Sequence, residues 1–427
     1  MQTTPHSNIS ILAGDLFRRE SARMLAVLTR ILGPANWGLA EDAVQEALLR
    51  ALELWPFQGI PENPQAWLIT VARNRALDHM RREKLLESKA EAIVINLASE
   101  GVDRGQIPDD RLAMILLCCH PALAPEIRVT LTLKSVAGFG TGEIARAFFL
   151  PQATVAQRLV RAKRLLRERA IVFAMPDGSE LEARLDSAME VVYLIFNEGY
   201  LAHSGEALIR AELCDEAIFL GRLLCGNRAT QSPRCHALLA LMLLLSARLA
   251  SRLNEAGTPL LLDEQDRNHW DQSRIAEGFW HLEQSAAGEA ESVYHLEAAI
   301  AAAHYATPID WPYIVSLYDK LLDQKNSPVV MLHRSVAIAK RDGPAEGIRQ
   351  LAALQGHPNL RGYYLLPAVL AELWLQSGEK KIAALYFGEA LACECTGPER
   401  RRLEVRLAAL VGQSGTLRAS GTPIARS

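Results

Sequence analysis

Residues Thr141–Arg169, TGEIARAFFLPQATVAQRLVRAKRLLRER, hold side chains of the types that suit a polyanion, at a spacing that would line them along one helix face. Gln and Arg hydrogen-bond base edges in the major groove, while Thr, Lys and further Arg residues suit phosphate oxygens. Gln152, Thr154, Gln157, Arg158, Arg161, Lys163 and Arg164 fall on the outward face of a helix expected over about Ala153–Glu168, with Val155 and Leu159 facing inward. Residues 154–169 carry six basic side chains and one acidic. A short helix through Phe148 precedes them, capped by Thr141 and Glu143. A turn at Phe149-Leu150-Pro151-Gln152 and the small Ala145 at the crossing point give the spacing of a helix-turn-helix. Phe149 stands where many such turns carry Gly. A charge run taken alone is usually a solvated face; here the turn, the small residue and the basic face coincide.

Other constellations point away from bond-making chemistry. Cys118-Cys119-His120 lacks the two-residue gap that lets one ion take both thiolates, and the pair sits in an apolar helix, Ala113–Cys119, ended by Pro121, as buried structural thiols do. His203 and His269 have no partner at ligand spacing, and the acidic stretch Asp263, Glu264, Asp266 and Asp271 reads as a solvated loop salt-bridged to Arg267 and Arg274. No phosphate loop, nucleophile elbow or metalloprotease motif occurs, so the sequence calls for no enzyme, no cofactor and no metal. Asn197-Glu198-Gly199-Tyr200 reads as a helix end with a sharp turn, because Asn and Gly disfavour helix interiors.

The elements that must position the basic face are helices. Hydrophobic residues make up 49% of the 427 and charged residues 22%, the composition of a globular chain with several cores, and Gly and Pro punctuate apolar stretches of helical period. Helices are expected over Asp15–Leu32, ended by Gly33-Pro34, over Glu41–Leu54, and over Gln65–Leu86 with Arg73, Arg75, Arg81, Arg82 and Lys84; the segment from Trp55-Pro56 to Pro64 reads as a loop. Residues 10–88 form one block, 89–108 a linker, 109–172 a second block, and Met175-Pro176-Asp177-Gly178 breaks the chain. Residues 180–300 read as a helical extension, 301–412 as helical repeats and 413–427 as a flexible tail. Ala337 precedes Gly343, and 34 residues on Ala371 precedes Gly378. Each pair is followed by a helix, Ala345–Leu354 and Lys380–Leu391, with Trp311–Leu322 the second helix of an earlier unit. Two-helix units at this period bury their apolar faces only by stacking.

Residues 1–170 hold 22 basic and 18 acidic residues, a net of +4, while 171–427 hold 24 and 31, a net of −7, so a polyanion would bind the first part. Seven cysteines, an odd number at irregular spacing, fit a reducing cytoplasm rather than a disulfide framework. The most apolar stretch, Ala237–Ser246, is too short for a membrane span, and MQTTPHSNIS lacks an export signal.

At Glu41-Asp42-Ala43-Val44-Gln45-Glu46-Ala47-Leu48-Leu49-Arg50-Ala51 and Trp67-Leu68-Ile69-Thr70-Val71-Ala72-Arg73-Asn74-Arg75-Ala76-Leu77-Asp78…Arg81-Arg82 the chain closely resembles the sigma-2 domain of extracytoplasmic-function sigma factors. Residues 109–170 resemble the sigma-4 domain of the same family, above all at Glu143-Ile144-Ala145 and Thr154-Val155…Arg158-Leu159…Arg161-Ala162-Lys163. Residues 180–410 resemble the C-terminal extension of the subgroup fused to a tetratricopeptide-like domain, at Val191–Tyr200, Asp263–Arg267 and Asp310-Trp311…Leu317-Tyr318-Asp319.

The resemblance implies an all-α fold: two small helical sigma domains, the second with the helix-turn-helix, plus a C-terminal α-helical repeat domain. It implies that Asp42, Gln45, Glu46 and Arg50 dock on a coiled coil of the largest subunit of core RNA polymerase. The helix from Trp67 to Lys84 would sit at the −10 promoter element, with Arg73, Arg75, Arg81, Arg82 and Lys84 as cations, Asn74 on a base edge and Trp67 either a stacking surface or core. The helix-turn-helix would read the −35 element as duplex. The expected function is promoter-specific initiation, with the C-terminal region as a built-in regulator or an extra polymerase contact, its repeats open to a protein partner. The alternative is a helix-turn-helix regulator whose helical domain senses a ligand or protein, which leaves Glu41–Lys84 without a purpose; a repeat scaffold with an incidental DNA-binding end is a third.

Overall fold

The computed structural model describes residues 20–82, 110–201, 208–288 and 290–416. The fold is all-α: among the described residues there is no strand, only isolated bridges at Leu253–Pro259 and Tyr363–Glu394. The chain divides into two compact units, Met1–Leu194 and Ile195–Ser427.

In the first unit, α1 (20–32) is almost wholly core, burying Met24, Leu25, Val27, Leu28 and Leu32. Gly33 ends it at φ +79°, a conformation costly for other residues, and Pro34 opens a 3-10 turn, Pro34–Asn36. Helix α2 (Trp37–Gln58) buries Trp37, Ala40, Ala43, Val44, Ala47 and Ala51, one stripe at three- and four-residue spacing. It runs through Trp55-Pro56, where the sequence suggested a loop. Pro56 lies in the last turn, so it forfeits one hydrogen bond, and Gly59 closes the helix by donating to the Trp55 carbonyl at 3.0 Å. Helix α3 (Pro64–Arg82) starts where Asn63 Oδ1 accepts the Ala66 N–H at 3.0 Å. It packs against α2 through Leu68, Ile69, Ala72 and Ala76. Lys84, the linker 89–108 and His203 lie outside the described residues.

Helices α4 (Arg111–Cys118) and α5 (Pro125–Ser135) follow. Cys118 and Cys119 are buried; burial drives both thiols upward, Cys119 to about 12, and Cys119 Sγ lies 3.6 Å from Thr132 Oγ1, as inert core thiols do. Helices α6 (Thr141–Ala147) and α7 (Gln152–Glu168) pack on each other and on α5. Helix α8 (Gly178–Tyr200) begins after the Met175–Gly178 break. It ends at Tyr200, inside the Asn197–Tyr200 stretch where the sequence suggested a helix end, with Asn197, Glu198 and Gly199 still helical.

Gly199 is needed there for approach rather than for bending. A Cβ on it would lie 2.7 Å from the Cys214 nitrogen and 2.9 Å from the Arg210 carbonyl oxygen. The second unit continues with α9 (Ala211–Cys225), α10 (Pro233–Ser246), α11 (Gln272–Ser285), α12 (Val293–Ala303), α13 (Trp311–Gln324), α14 (Pro328–Asp342), α15 (Pro344–Ala352), α16 (Leu365–Gln376), α17 (Lys380–Ala392) and α18 (Gly397–Thr416). From α9 onward each helix packs on the next in sequence, and from α12 onward these pairings carry the core. Gly343 (φ +100°) and Gly378 (φ +87°) make the turns between α14 and α15 and between α16 and α17. The stretch Pro233–Ser251 is long and apolar enough to cross a membrane, but it is 72% buried inside the fold as a core helix.

Candidate nucleic-acid and polymerase interface

The α6–α7 turn is built from short-range bonds. Glu143 accepts the Gly140 N–H at 2.5 Å, so Gly140, not Thr141, is the capping position. Thr141 instead accepts a hydrogen bond from Gln152 Nε2 at 3.1 Å, which ties the two helix starts together. Phe149 takes the left-handed conformation, φ 49°, that Gly usually supplies in such turns. Ala145 is buried at the crossing of the two helices.

Val155, Leu159, Ala162 and Leu166 form the inner stripe of α7, so its opposite side is fixed toward solvent. Gln152, Gln157, Arg161 and Arg164 are exposed, and Thr154 and Arg158 are half-buried. Lys163 departs from the expected face. It is engaged by Glu41 of α2 in a hydrogen-bonded ion pair, because α7 also packs on the Pro34–Asn36 turn. Sequence spacing places Lys163 on the polar side of α7 but gives no sign of Glu41.

Helix α2 presents Asp42, Gln45, Glu46 and Arg50 together on one exposed face. Two leucines that the sequence analysis passed over share that face, Leu49 at 61% and Leu52 at 60% exposure. Arg50 reaches Glu53 at 3.1 Å, and Glu46 pairs with Arg75 of α3 at 3.0 Å. The pair joins a residue expected to meet polymerase with one expected to meet DNA.

On α3, Asn74 is exposed, while Arg73 and Arg75 are half-buried. Trp67 packs against Trp55 with ring centroids 5.6 Å apart, so it is at least half a core residue. Arg81 and Arg82 continue the helix, and their side chains lie outside the description. Arg30 donates to Asp110 at 2.9 Å, a second tie between the two blocks of this unit that sequence alone did not suggest.

The acidic stretch of the second unit is structural. Asp263 pairs with Lys340 at 2.5 Å, and Glu264 with Arg402 at 3.0 Å. Asp271 caps α11 and reaches Arg274 at 3.4 Å. Arg267, the other expected partner, instead donates to Thr307 Oγ1 at 2.8 Å and covers the Trp270 ring. His269 is exposed beside Asp266, 3.4 Å away. A mostly apolar cavity of about 490 Å³ lies among Trp311, Tyr318, His333, Tyr364 and Phe387.

Residues 16–85 match the family described as Sigma-70 region 2, and residues 184–286 match a family of unknown function, DUF6596. The chain is 34% identical over 393 residues to the uncharacterized protein R00370 of Rhizobium meliloti (strain 1021), covering 90% of this chain and 92% of that one. It is 32% identical over 157 residues to the ECF RNA polymerase sigma factor SigL of Mycobacterium tuberculosis, covering 36% of this chain and 85% of SigL. Over 152 residues it is 28% identical to the ECF RNA polymerase sigma factor SigK of Mycobacterium ulcerans (strain Agy99), 34% of this chain and 78% of SigK. No solved structure matches. With region 2 falling on α1–α3 and SigL aligned over most of its own length, the chain belongs to the ECF sigma factors of the sigma-70 family.

Proposed function

We propose that this protein binds core RNA polymerase in the cytoplasm and directs promoter-specific initiation, without covalent catalysis, and that its second unit regulates it. The exposed α2 face, Asp42, Gln45, Glu46 and Arg50 with Leu49 and Leu52, docks on the coiled coil of the largest subunit. Asn74, Arg73, Arg75, Arg81, Arg82 and Lys84 meet the −10 element, with Trp67 buttressing α3 through Trp55. Helices α6 and α7 act as a helix-turn-helix of the sigma-4 kind at the −35 element, through Gln152, Thr154, Gln157, Arg158, Arg161 and Arg164, with Lys163 joining only once it leaves Glu41. The consecutive helix pairs from α12 to α18 serve as a tetratricopeptide-like stack that takes a protein partner.

One observation carries this reading. The region-2 match falls on the helices that carry the open polar-and-leucine face of α2, a surface that a simple helix-turn-helix regulator does not need. The test is transcription from a promoter library by purified core polymerase with and without the full protein. The reading expects transcripts that core alone cannot start, and their loss when Asp42, Glu46, Leu49 and Leu52 are changed together to Ala. Duplex binding without any initiation would overturn it in favour of a conventional regulator whose helical domain senses a ligand or protein.

A further inference from the structure

Three helices of the second unit converge on one group of soft donors. Helix α9 ends at Cys225, α10 brings His236 in its first turns, and α11 brings His281. The Cys225 sulfur and a ring nitrogen from each histidine all lie within 4.8 Å of one another. Cys225 and His281 are buried and His236 is half-buried. Among the described residues Cys225 has no hydrogen-bond partner, whereas Cys235 donates to the Thr230 carbonyl at 3.3 Å and Cys214 lies 3.9 Å from the Phe196 carbonyl. The Nδ1 atoms of His236 and His281 are 2.7 Å apart, one donating to the other.

The surroundings hold these groups in place. A Cβ on Gly278 would lie 2.9 Å from Leu244, and one on Gly221 2.9 Å from Met242, so α11 and α9 both approach α10 closely. Trp280 meets both imidazoles edge-on, at centroid distances of 6.0 Å from His236 and 4.7 Å from His281. Arg222, one turn before Cys225, donates to Glu277, one turn before His281, at 2.7 and 2.6 Å, a two-bond staple between α9 and α11 beside the cluster. Burial lowers both imidazoles from their ordinary value, His281 to about 4 with its neighbour His236 adding to the effect.

One thiol and two imidazoles are a donor set that suits zinc and disfavours the hard cations, which prefer oxygen. We propose that Cys225, His236 and His281 bind one zinc ion, with water in the fourth position, entering past His236. The zinc–sulfur bond forms as the thiol proton leaves to solvent; the donating imidazole shifts its Nδ1 proton to Nε2, and the two freed Nδ1 lone pairs replace the mutual hydrogen bond with bonds to the ion. Zinc–nitrogen bonds near 2.0–2.1 Å at tetrahedral angles set two ligand nitrogens roughly 3.3 Å apart, so the rings separate by about half an ångström on loading. The three ligands come from three helices, so the ion clamps α9, α10 and α11 together. The site is independent of any contact with polymerase or promoter.

The test uses the untagged full-length protein, stripped of metal with a chelator under reducing conditions and titrated with cobalt(II) and then zinc(II). The expected result is one equivalent of cobalt with a thiolate-to-cobalt charge-transfer band and the strong visible bands of a four-coordinate ion, both abolished by one equivalent of zinc. Cys225→Ser removes the charge-transfer band, His236→Ala and His281→Ala each weaken binding by at least about tenfold, and Cys235→Ser leaves the spectrum intact. If a variant loses its helical circular dichroism, X-ray absorption at the zinc edge of the wild-type protein decides, with one sulfur and two imidazole nitrogens expected in the first shell. Substoichiometric binding, a six-coordinate cobalt spectrum, or a charge-transfer band that survives Cys225→Ser would overturn the proposal.

Discussion

Lys163 of α7 is paired with Glu41 of α2 across 122 residues of sequence, both side chains largely shielded from water. Helix α2 in turn packs on α3, so the proposed −10 and −35 readers sit within one unit. Lys163 can join the proposed −35 contacts only after it leaves Glu41, so the ion pair holds it back from DNA. Glu41→Gln weakens it by about 1 kcal/mol, which is roughly a fivefold gain in affinity of the free protein for a duplex carrying its −35 element. Fluorescence anisotropy at one fixed salt concentration measures this. Glu62→Gln, the same charge change at an exposed loop position, serves as the comparison. Equal affinities for the two variants would refute the idea.

Gly199 supports a second prediction, about stability alone. Its α-carbon faces the start of α9 so closely that a methyl group would sit 2.7 Å from the Cys214 nitrogen. Backbone lines most of that approach, because Arg210 donates to the Gly199 carbonyl at 2.7 Å, and the one side-chain atom beside it, Cys214 Sγ at 2.9 Å, is buried. Next to it, Glu198 and Arg210 form a buried ion pair at 2.6 Å that would be pried apart. Gly199→Ala should cost about 1–3 kcal/mol, read as a lower urea midpoint. An unchanged midpoint would mean that the helices slide apart without loss.

The same glycine marks where sequence reading stopped. Helix propensity ends α8 within Asn197–Tyr200, and α8 does end at Tyr200, but propensity does not say why Gly199, still helical, is there. The missing side chain serves a neighbour 15 residues on, which no local pattern encodes. The inner stripe of α7 and the exposed polar face of α2 were legible, because a 3.6-residue period fixes both from spacing. Pro56 misled in the opposite sense: proline breaks a helix interior but costs little in the last turn. The partners of Lys163, Asp263 and Glu264, and the meeting of Cys225 with His236 and His281, depend on how helices distant in sequence pack. Nothing in their spacing announces them.

Asp271 gives a prediction with a defined pH window. It caps α11, its Oδ1 accepting the Ser273 and Arg274 N–H groups at 3.0 and 3.1 Å. Those backbone bonds, with the Ser273 hydroxyl, hold its pKa below the usual carboxylate value. A carboxylate depressed in the folded state contributes stability that is fully present above its unfolded value, near 3.9, and is lost as pH falls through the lower folded value. Asp271→Ala should therefore cost about 1 kcal/mol at neutral pH. The gap between the two proteins' urea midpoints should stay constant down to about pH 5 and narrow only below about pH 4. A gap that closes between pH 7 and 6 would assign the effect to another group.

The outward face of α7 separates positioning from reading. Arg161 is exposed and turned away from the buried stripe, as a phosphate contact would be, while Gln157 offers an amide that can pair with adenine. Arg161→Ala should weaken binding to every duplex alike and reduce the slope of log affinity against log salt by about 0.9. Gln157→Ala should keep that slope and relax preference at one base pair, costing about 1–3 kcal/mol on the preferred sequence alone. Lys163→Ala should weaken binding less than Arg161→Ala, because the lysine it removes is spent on Glu41 in the free protein. Affinity and salt dependence measured on one selected duplex and its single-base variants separate the three. If Lys163→Ala matched Arg161→Ala in both slope and loss, α7 would already be free of α2 before it meets DNA, and the ion pair would not restrain it.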